Sequence, residues 1–190
     1  MNKEKDKIVI DIETKNTFFE VGSDNFSALE ISLVGLYSYN RGEYLHFFED
    51  ELEKVAEFLK NAGLIIGFSI SRFDLPVLKN YFSKISGFED FDIFTVPRFD
   101  LLDEIEFSMG RRIGLDMLAR HNLGIGKNGL SLDAPILFRE GKMEELKNYC
   151  LNDVKITKDL YELSKRQGYL TVPQKNSAES LRVDICPALF

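Results

Sequence analysis

Ile8-Val9-Ile10-Asp11-Ile12-Glu13-Thr14 is the stretch whose reading decides the fold. Residues two apart on an extended strand face the same way, so Asp11 and Glu13 project together. Ile8, Ile10 and Ile12 take the opposite face and Val9 shares the carboxylate face, the pattern of a central strand whose end breaks into two acids. Two like charges at that spacing repel. In a partly desolvated place they stay ionised only when a cation or a hydrogen-bond donor compensates them, and hard divalent ions are the natural match for oxygen ligands.

Far along the chain, Tyr149-Cys150-Leu151-Asn152-Asp153-Val154 makes a similar argument on a helix expected over residues 143–165. Positions four apart lie one above the other, so Tyr149 and Asp153 share a face that continues through Ile156 and Leu160. Asp153 interrupts that core-facing stripe, which calls for a metal, an arginine or an N-cap beside it, and its mid-helix position excludes the cap. Asp74, in Arg72-Phe73-Asp74-Leu75-Pro76-Val77-Leu78, reads either as a further member of the acidic set or as an N-cap with proline in the first turn. A solvated strand end would account for Asp11 and Glu13 alone, and a salt bridge for Asp153 alone. All three segments in this order argue for one metal site.

Together these residues resemble the DEDD exonucleases of the DnaQ-like, ribonuclease H-like superfamily, in the DEDDy subgroup whose last motif is Tyr-x-x-x-Asp. They are particularly similar to the proofreading exonuclease domains of family-B DNA polymerases and to related helicase-associated domains. Asp11 and Glu13 match the first motif, Phe73 and Asp74 the second, and Tyr149 and Asp153 the third. Gly114 to Ala119 and the loop Leu123-Gly124-Ile125-Gly126-Lys127 also look like the segment between the second and third motifs of the polymerase group. The likeness covers roughly residues 7–165, with one departure: polymerase relatives commonly carry asparagine five residues before the second-motif aspartate, where this chain has Ser69. That difference bears on how the substrate strand is held, not on metal binding.

The resemblance implies a hydrolase that removes nucleotides from a 3′ end with two Mg²⁺ or Mn²⁺ ions. Asp11, Glu13, Asp74 and Asp153 would be the metal ligands, Asp11 bridging both ions, Glu13 and Asp153 serving the ion that activates water and Asp74 the other. Tyr149 would hold the attacking water in line, because a phenol with a reference pKa near ~10 is a poor base at neutral pH. Thr14, Ser69, Phe73, Arg72 and Lys127 are the expected substrate contacts. The expected substrate is a single-stranded 3′ end, single-stranded DNA before RNA, and the expected partner or fused neighbour is a helicase or a polymerase. Two alternatives stand beside this reading: a weakly catalytic binding module on the same fold, and an endonuclease using the same centre.

Strands are expected at residues 7–12, 31–39, 43–48, 64–68 and 98–102, with Arg41-Gly42 turning an antiparallel pair. Helices are expected at 49–61, 75–82, 102–109, 114–122 and 133–140. Three meander strands followed by alternating helix and strand predict an α/β fold: a ribonuclease H-like mixed sheet, a three-strand antiparallel meander plus parallel strands, with helices on both faces. Residues 1–168 are expected to form that domain, and 169–190 a tail with an edge strand at 169–172 or a junction to a further domain.

With 190 residues, 44% hydrophobic and 29% charged, the chain suits one well-buried domain. No apolar run is long enough to span a bilayer, so the expected location is cytoplasmic, with no membrane partner. Cys150, on the apolar side of the last helix, and Cys186 suggest neither a disulfide framework nor a zinc set. A net charge of -7 opposes nonspecific phosphate binding unless bound cations neutralise the acids and local charge from Arg72, Arg111, Arg112 or Lys127 assists. For Arg111 and Arg112 a solvated turn is an equal reading, and for Lys127 a plain loop. Phe18, Phe19 and Phe26 are candidates for stacking on a terminal base or for covering the sheet. Asp100, Asp103, Glu104 and Glu106 read as a strand end and a solvated helix face, with Asp100 an outside candidate for the metal site. His46 and His121 lack ligand spacing.

Overall fold

The computed structural model describes residues 4–125, 133–174 and 179–185. Its centre is a five-stranded sheet with strand order β3-β2-β1-β4-β5. The strands are β1 (Asp6–Thr14), β2 (Ile31–Ser38), β3 (Glu43–Phe48), β4 (Ala62–Gly67) and β5 (Arg98–Asp100). β1 lies in the middle, antiparallel to β2 with Asp11 opposite Gly35, and parallel to β4 as far as Val9 opposite Ile66. β2 and β3 pair antiparallel, β4 and β5 parallel. The expected mixed sheet, with its antiparallel meander and parallel strands, is what forms.

Alternation along β1 sorts the core. Ile8, Ile10 and Ile12 bury on one face with residues of α2 (Leu52–Lys60) and α3 (Asp74–Phe82). Val9 buries on the other face with α4 (Leu101–Met109), α5 (Leu115–Leu123) and the 25-residue α7 (Met143–Gln167). Val154, Ile156 and Leu160 of α7 are fully buried there, each contributing about 1.5–3 kcal/mol by leaving water. Two short helices, α1 (Phe18–Val21) and α6 (Asp133–Arg139), flank the C-terminal end of β1.

Two glycines set how closely these layers meet. A Cβ on Gly35 would lie 2.8 Å from Cys150 Sγ and 3.0 Å from Val154, so α7 sits directly on the β2 backbone beside Asp11. At Gly67 a Cβ would come within 2.1 Å of Ile70, so β4 ends in a turn folded back on itself.

The C-terminal segment forms a strand where one was expected, over Tyr169–Pro173. β6 (Tyr169–Pro173) does not extend the main sheet; it pairs antiparallel with β7 (Ser180–Asp184) in a separate two-stranded sheet. Leu170, Val172, Val183 and Ile185 bury in the same core as α5 and α7. The Asn122 side chain accepts the Thr171 N–H at 2.9 Å and donates to the Thr171 carbonyl at 2.8 Å, satisfying the outer edge of β6 as a neighbouring strand would. Helix starts also shift slightly: Asp100 ends β5 and caps α4, so the strand expected to reach residue 102 stops at 100.

Candidate active site: an acidic cleft at the end of the central strand

Beyond the last β1–β4 pair, β1 loses its parallel neighbour, and the Ile12 N–H is taken by Asp74 Oδ1 at 3.0 Å. Asp74 is therefore not the N-cap of α3. Phe73 holds the cap position, and Asp74 opens the helix with its carboxylate turned to β1. Asp74 is 4% exposed. Burial pushes its carboxyl up to about 7, against the pull of the Ile12 N–H and its own, and the nearby Asp100 charge adds to the rise.

α7 brings in the third segment. Tyr149 and Asp153 are buried on the face predicted for them, with Cys150 between β1 and the helix. Cys150 Sγ lies 3.6 Å from both the carbonyl oxygen and Oδ2 of Asp11. Burial, then the charges of Asp11, Glu13 and Asp153, hold that thiol well above its ordinary pKa, so it stays protonated and donates. Asp11, Glu13 and Cys150 each place a ligand atom within 4.8 Å of the others.

A cleft of about 470 Å³ opens at this point. Asp11, Glu13, Asp74, Tyr149 and Asp153 all line it, together with three of the expected substrate contacts, Thr14, Ser69 and Phe73. Among the described residues no lysine, arginine or histidine lines the cleft. A carboxylate set of this density, with hard oxygen donors and one acid forced towards its neutral form by burial, fits divalent cations. Asp11, Glu13, Asp74 and Asp153 could hold them.

Other expected residues lie elsewhere. Arg72 is drawn to α4, where it pairs with Asp103 at 3.0 Å and with Glu106, and it does not line the cleft. Two carboxylates three residues apart on one helix face make a better partner than open solvent. Arg112 pairs with the same Glu106 at 3.3 Å, and Arg111 donates to the Pro173 carbonyl at 2.5 Å, docking β6. Lys127 and Cys186 lie outside the described residues. Phe18 lines the cleft and meets Phe26 and Phe73 edge-on at 5.1 and 5.8 Å, whereas the adjacent Phe19 is 99% exposed. Asp100, the outside candidate, accepts backbone N–H groups from Ser69, Ser71 and Leu102 and does not line the cleft.

Some cleft residues escaped the sequence reading. Asn16 and Thr17 line it, and Asn16 braces the loop after β1 by donating to the Ala28 carbonyl at 2.9 Å and accepting the Glu30 N–H at 3.0 Å. Glu20 accepts the N–H and hydroxyl of Thr17 and also pairs with Arg139 of α6, tying the two flanking helices together. Thr17-x-x-Glu20 carries the spacing of a capping box, a signal that was present in the sequence.

A model of the RNase H superfamily (RNase_H_2) matches residues 8–164, most of the chain and all three acidic segments. The chain belongs to the RNase H superfamily. No curated protein matches it. Among solved structures, this superfamily member is similar to the family B DNA polymerase from the hyperthermophilic archaeon Pyrobaculum calidifontis, with a TM-score of 0.65 and 19% identity. That match covers 85% of this chain and 25% of the polymerase, so the chain spans about a quarter of the polymerase's length and shares its fold over that part. Membership of the superfamily suggests nuclease activity on nucleic acid, and RNase H-like nucleases generally use divalent metals. Among the described residues no helix is long and apolar enough to cross a membrane.

Proposed function

We propose that this RNase H superfamily member is a divalent-cation-dependent 3′–5′ exonuclease that hydrolyses terminal phosphodiesters of single-stranded nucleic acid, DNA preferred, and releases nucleoside 5′-monophosphates. The observation that carries this reading is the cleft itself: four carboxylates and a tyrosine from three separate segments converge there, with no basic side chain among the described lining residues. The only charged side chains a phosphate meets among the described lining residues are acids. Its charge is balanced when cations occupy the site, and a site kept only for binding would gain by losing buried acids. Mg²⁺ or Mn²⁺ held there would lower the pKa of a bound water and stabilise charge on the leaving oxygen.

The protein's own groups supply the rest. Asp11 and Glu13, at the end of a strand paired on both sides lower down, are held rigidly enough to fix ligand positions. Tyr149 orients water through its hydroxyl. Phe18 and Phe73 offer aromatic faces to the terminal bases without reading their identity, and Thr14 and Ser69 offer polar groups to the strand. A polymerase or helicase, as partner or as a further part of the same polypeptide, would add positive surface to a chain whose net charge is -7.

Polarity of attack tests the reading. A 5′-labelled single strand is expected to shorten as a ladder from its 3′ end with Mg²⁺ or Mn²⁺, and a blocked 3′ terminus to resist. Cutting a closed circular strand at a comparable rate would identify an endonuclease and overturn the assignment.

A further inference from the structure

Ser69 is one of two non-glycine residues with positive φ, at +67°, among the described residues. Serine tolerates this left-handed region poorly, whereas asparagine enters it readily through local hydrogen bonding. Something must hold Ser69 there. The backbone N–H of Ser69 donates to Asp100 Oδ1 at 2.7 Å, and that of Ser71 to Asp100 Oδ2 at 2.9 Å, across 31 and 29 residues of sequence. Asp100 is 5% exposed, and Oδ1 also caps α4 by accepting the Leu102 N–H at 3.0 Å. Both carboxylate oxygens are thus committed to backbone donors.

The turn passes its shape forward. The Ser69 carbonyl accepts the N–H groups of Arg72 and Phe73, each at 3.2 Å, and the Ile70 carbonyl accepts that of Leu75 at 3.0 Å. Ser69 and Phe73 both line the cleft, so the position of the turn fixes the wall against which a strand would lie.

We propose that Asp100 is a positioning residue: it clamps the Ser69–Ser71 turn in its strained form, and through that turn sets how tightly the nucleic-acid strand is held. The inference rests on the nuclease reading for its substrate. It predicts a loss of strand affinity without loss of metal. Asp100→Asn is the informative variant, because the amide oxygen keeps the α4 cap and the Ser69 contact while its NH₂ faces the Ser71 N–H donor to donor.

In the full chain, three quantities are read side by side: amide hydrogen exchange over residues 68–73, Mn²⁺ titration by calorimetry, and hydrolysis at graded concentrations of a single-stranded oligonucleotide. For Asp100→Asn the turn is expected to exchange faster and the half-saturating strand concentration to rise about 10-fold or more, with Mn²⁺ affinity and maximal rate moving less than about threefold. Ser69→Asn added to that variant should return exchange over residues 68–73 to within about threefold of the parent, because asparagine holds the left-handed turn with less help; exchange reads the turn itself, apart from any contact the new side chain makes with the strand. Loss of Mn²⁺ affinity on the scale of Asp153→Ala would make Asp100 a ligand and overturn the proposal. So would unchanged half-saturation, or failure of Ser69→Asn to slow exchange over the turn again.

Should Asp100→Asn not fold, Ser69→Asn alone decides: the thermal midpoint is expected to rise by about 2–4 °C, and an unchanged or lower midpoint contradicts the strain. Should the parent hydrolyse nothing, the nuclease reading fails by itself. Fluorescence anisotropy of the labelled strand with Ca²⁺ then reads the same affinity change and decides the clamp.

Discussion

The Asp74 carboxylate accepts the backbone N–H of Ile12 at 3.0 Å, joining the second acidic segment to the residue that separates Asp11 from Glu13. This contact joins the first two acidic segments, and α7 delivers the third to the same cleft. The contact is made where β4 stops, so the missing strand neighbour of β1 is replaced by a helix-borne acid. The same geometry buries Asp74 and makes its charge costly.

A pH dependence of metal-free stability follows. Asp74's folded pKa is raised from an ordinary 3.8 to about 7, so the folded state binds that proton more tightly than the unfolded one. The contribution is fully present below the unfolded value and is lost as pH rises through the folded value, a change on the order of a few kcal/mol. In chelator, the thermal midpoint of the parent is expected to fall relative to that of Asp74→Asn between about pH 4 and about pH 7. Asparagine keeps an oxygen for the Ile12 N–H but carries no charge, so above that window the variant should be the more stable protein and inactive. Parallel stability curves for the two would contradict the burial argument.

Gly35 gives a prediction about how the third segment is delivered. Gly35→Ala places a methyl 2.8 Å from Cys150 Sγ and 3.0 Å from Val154, forcing α7 off the sheet beside Asp11. We expect a loss of about 1–3 kcal/mol in denaturant unfolding and roughly 10²-fold slower hydrolysis, because Tyr149 and Asp153 move with the helix. Cys150→Ala in the same chain removes the nearest clash and should recover part of both. A neutral Gly35→Ala would show that α7 tolerates the displacement.

Tyr149 and Asp153 share a helical face but should fail differently. Tyr149→Phe removes an orienting hydroxyl, with an expected rate loss on the ~10²-fold scale of misplaced reacting groups and Mn²⁺ binding retained. On the proposed reading Asp153→Ala removes a ligand, so turnover and part of the metal binding should vanish together. Single-turnover cleavage and metal titration on both variants check this. An unchanged rate in Tyr149→Phe would make the tyrosine a packing residue, and loss of metal equal to that of Asp153→Ala would make it a structural support.

Much of the fold was legible because β1 alternates cleanly and α7 carries an apolar stripe through Ile156 and Leu160, broken only by Asp153; local periodicity sorts such residues without knowledge of their neighbours. β7 was not legible, since only Val183 of Ser180–Asp184 is buried and the rest reads as a polar tail. The acids of the site were visible from spacing, but contacts between distant residues were not. Arg72 looked available in sequence, yet folding delivers it to Asp103 and Glu106. Asp100 looked like a strand end, and nothing local says that two amides some 30 residues earlier will close on it. Neighbouring aromatics separate in the same way: Phe18 turns into the cleft and Phe19 into solvent, a difference decided by the packing of Phe26 and Phe73.

The central claim is that the converging carboxylates hold cations that carry out hydrolysis, and cleavage of a 5′-labelled single strand by the parent and by Asp11→Asn, in Mg²⁺, Mn²⁺, Ca²⁺ or chelator, tests it most directly. The account predicts stepwise shortening by the parent with Mg²⁺ or Mn²⁺, little turnover with Ca²⁺ because of its looser coordination, and none in chelator or in a folded Asp11→Asn protein. Full activity in chelator, or in Asp11→Asn, would contradict it.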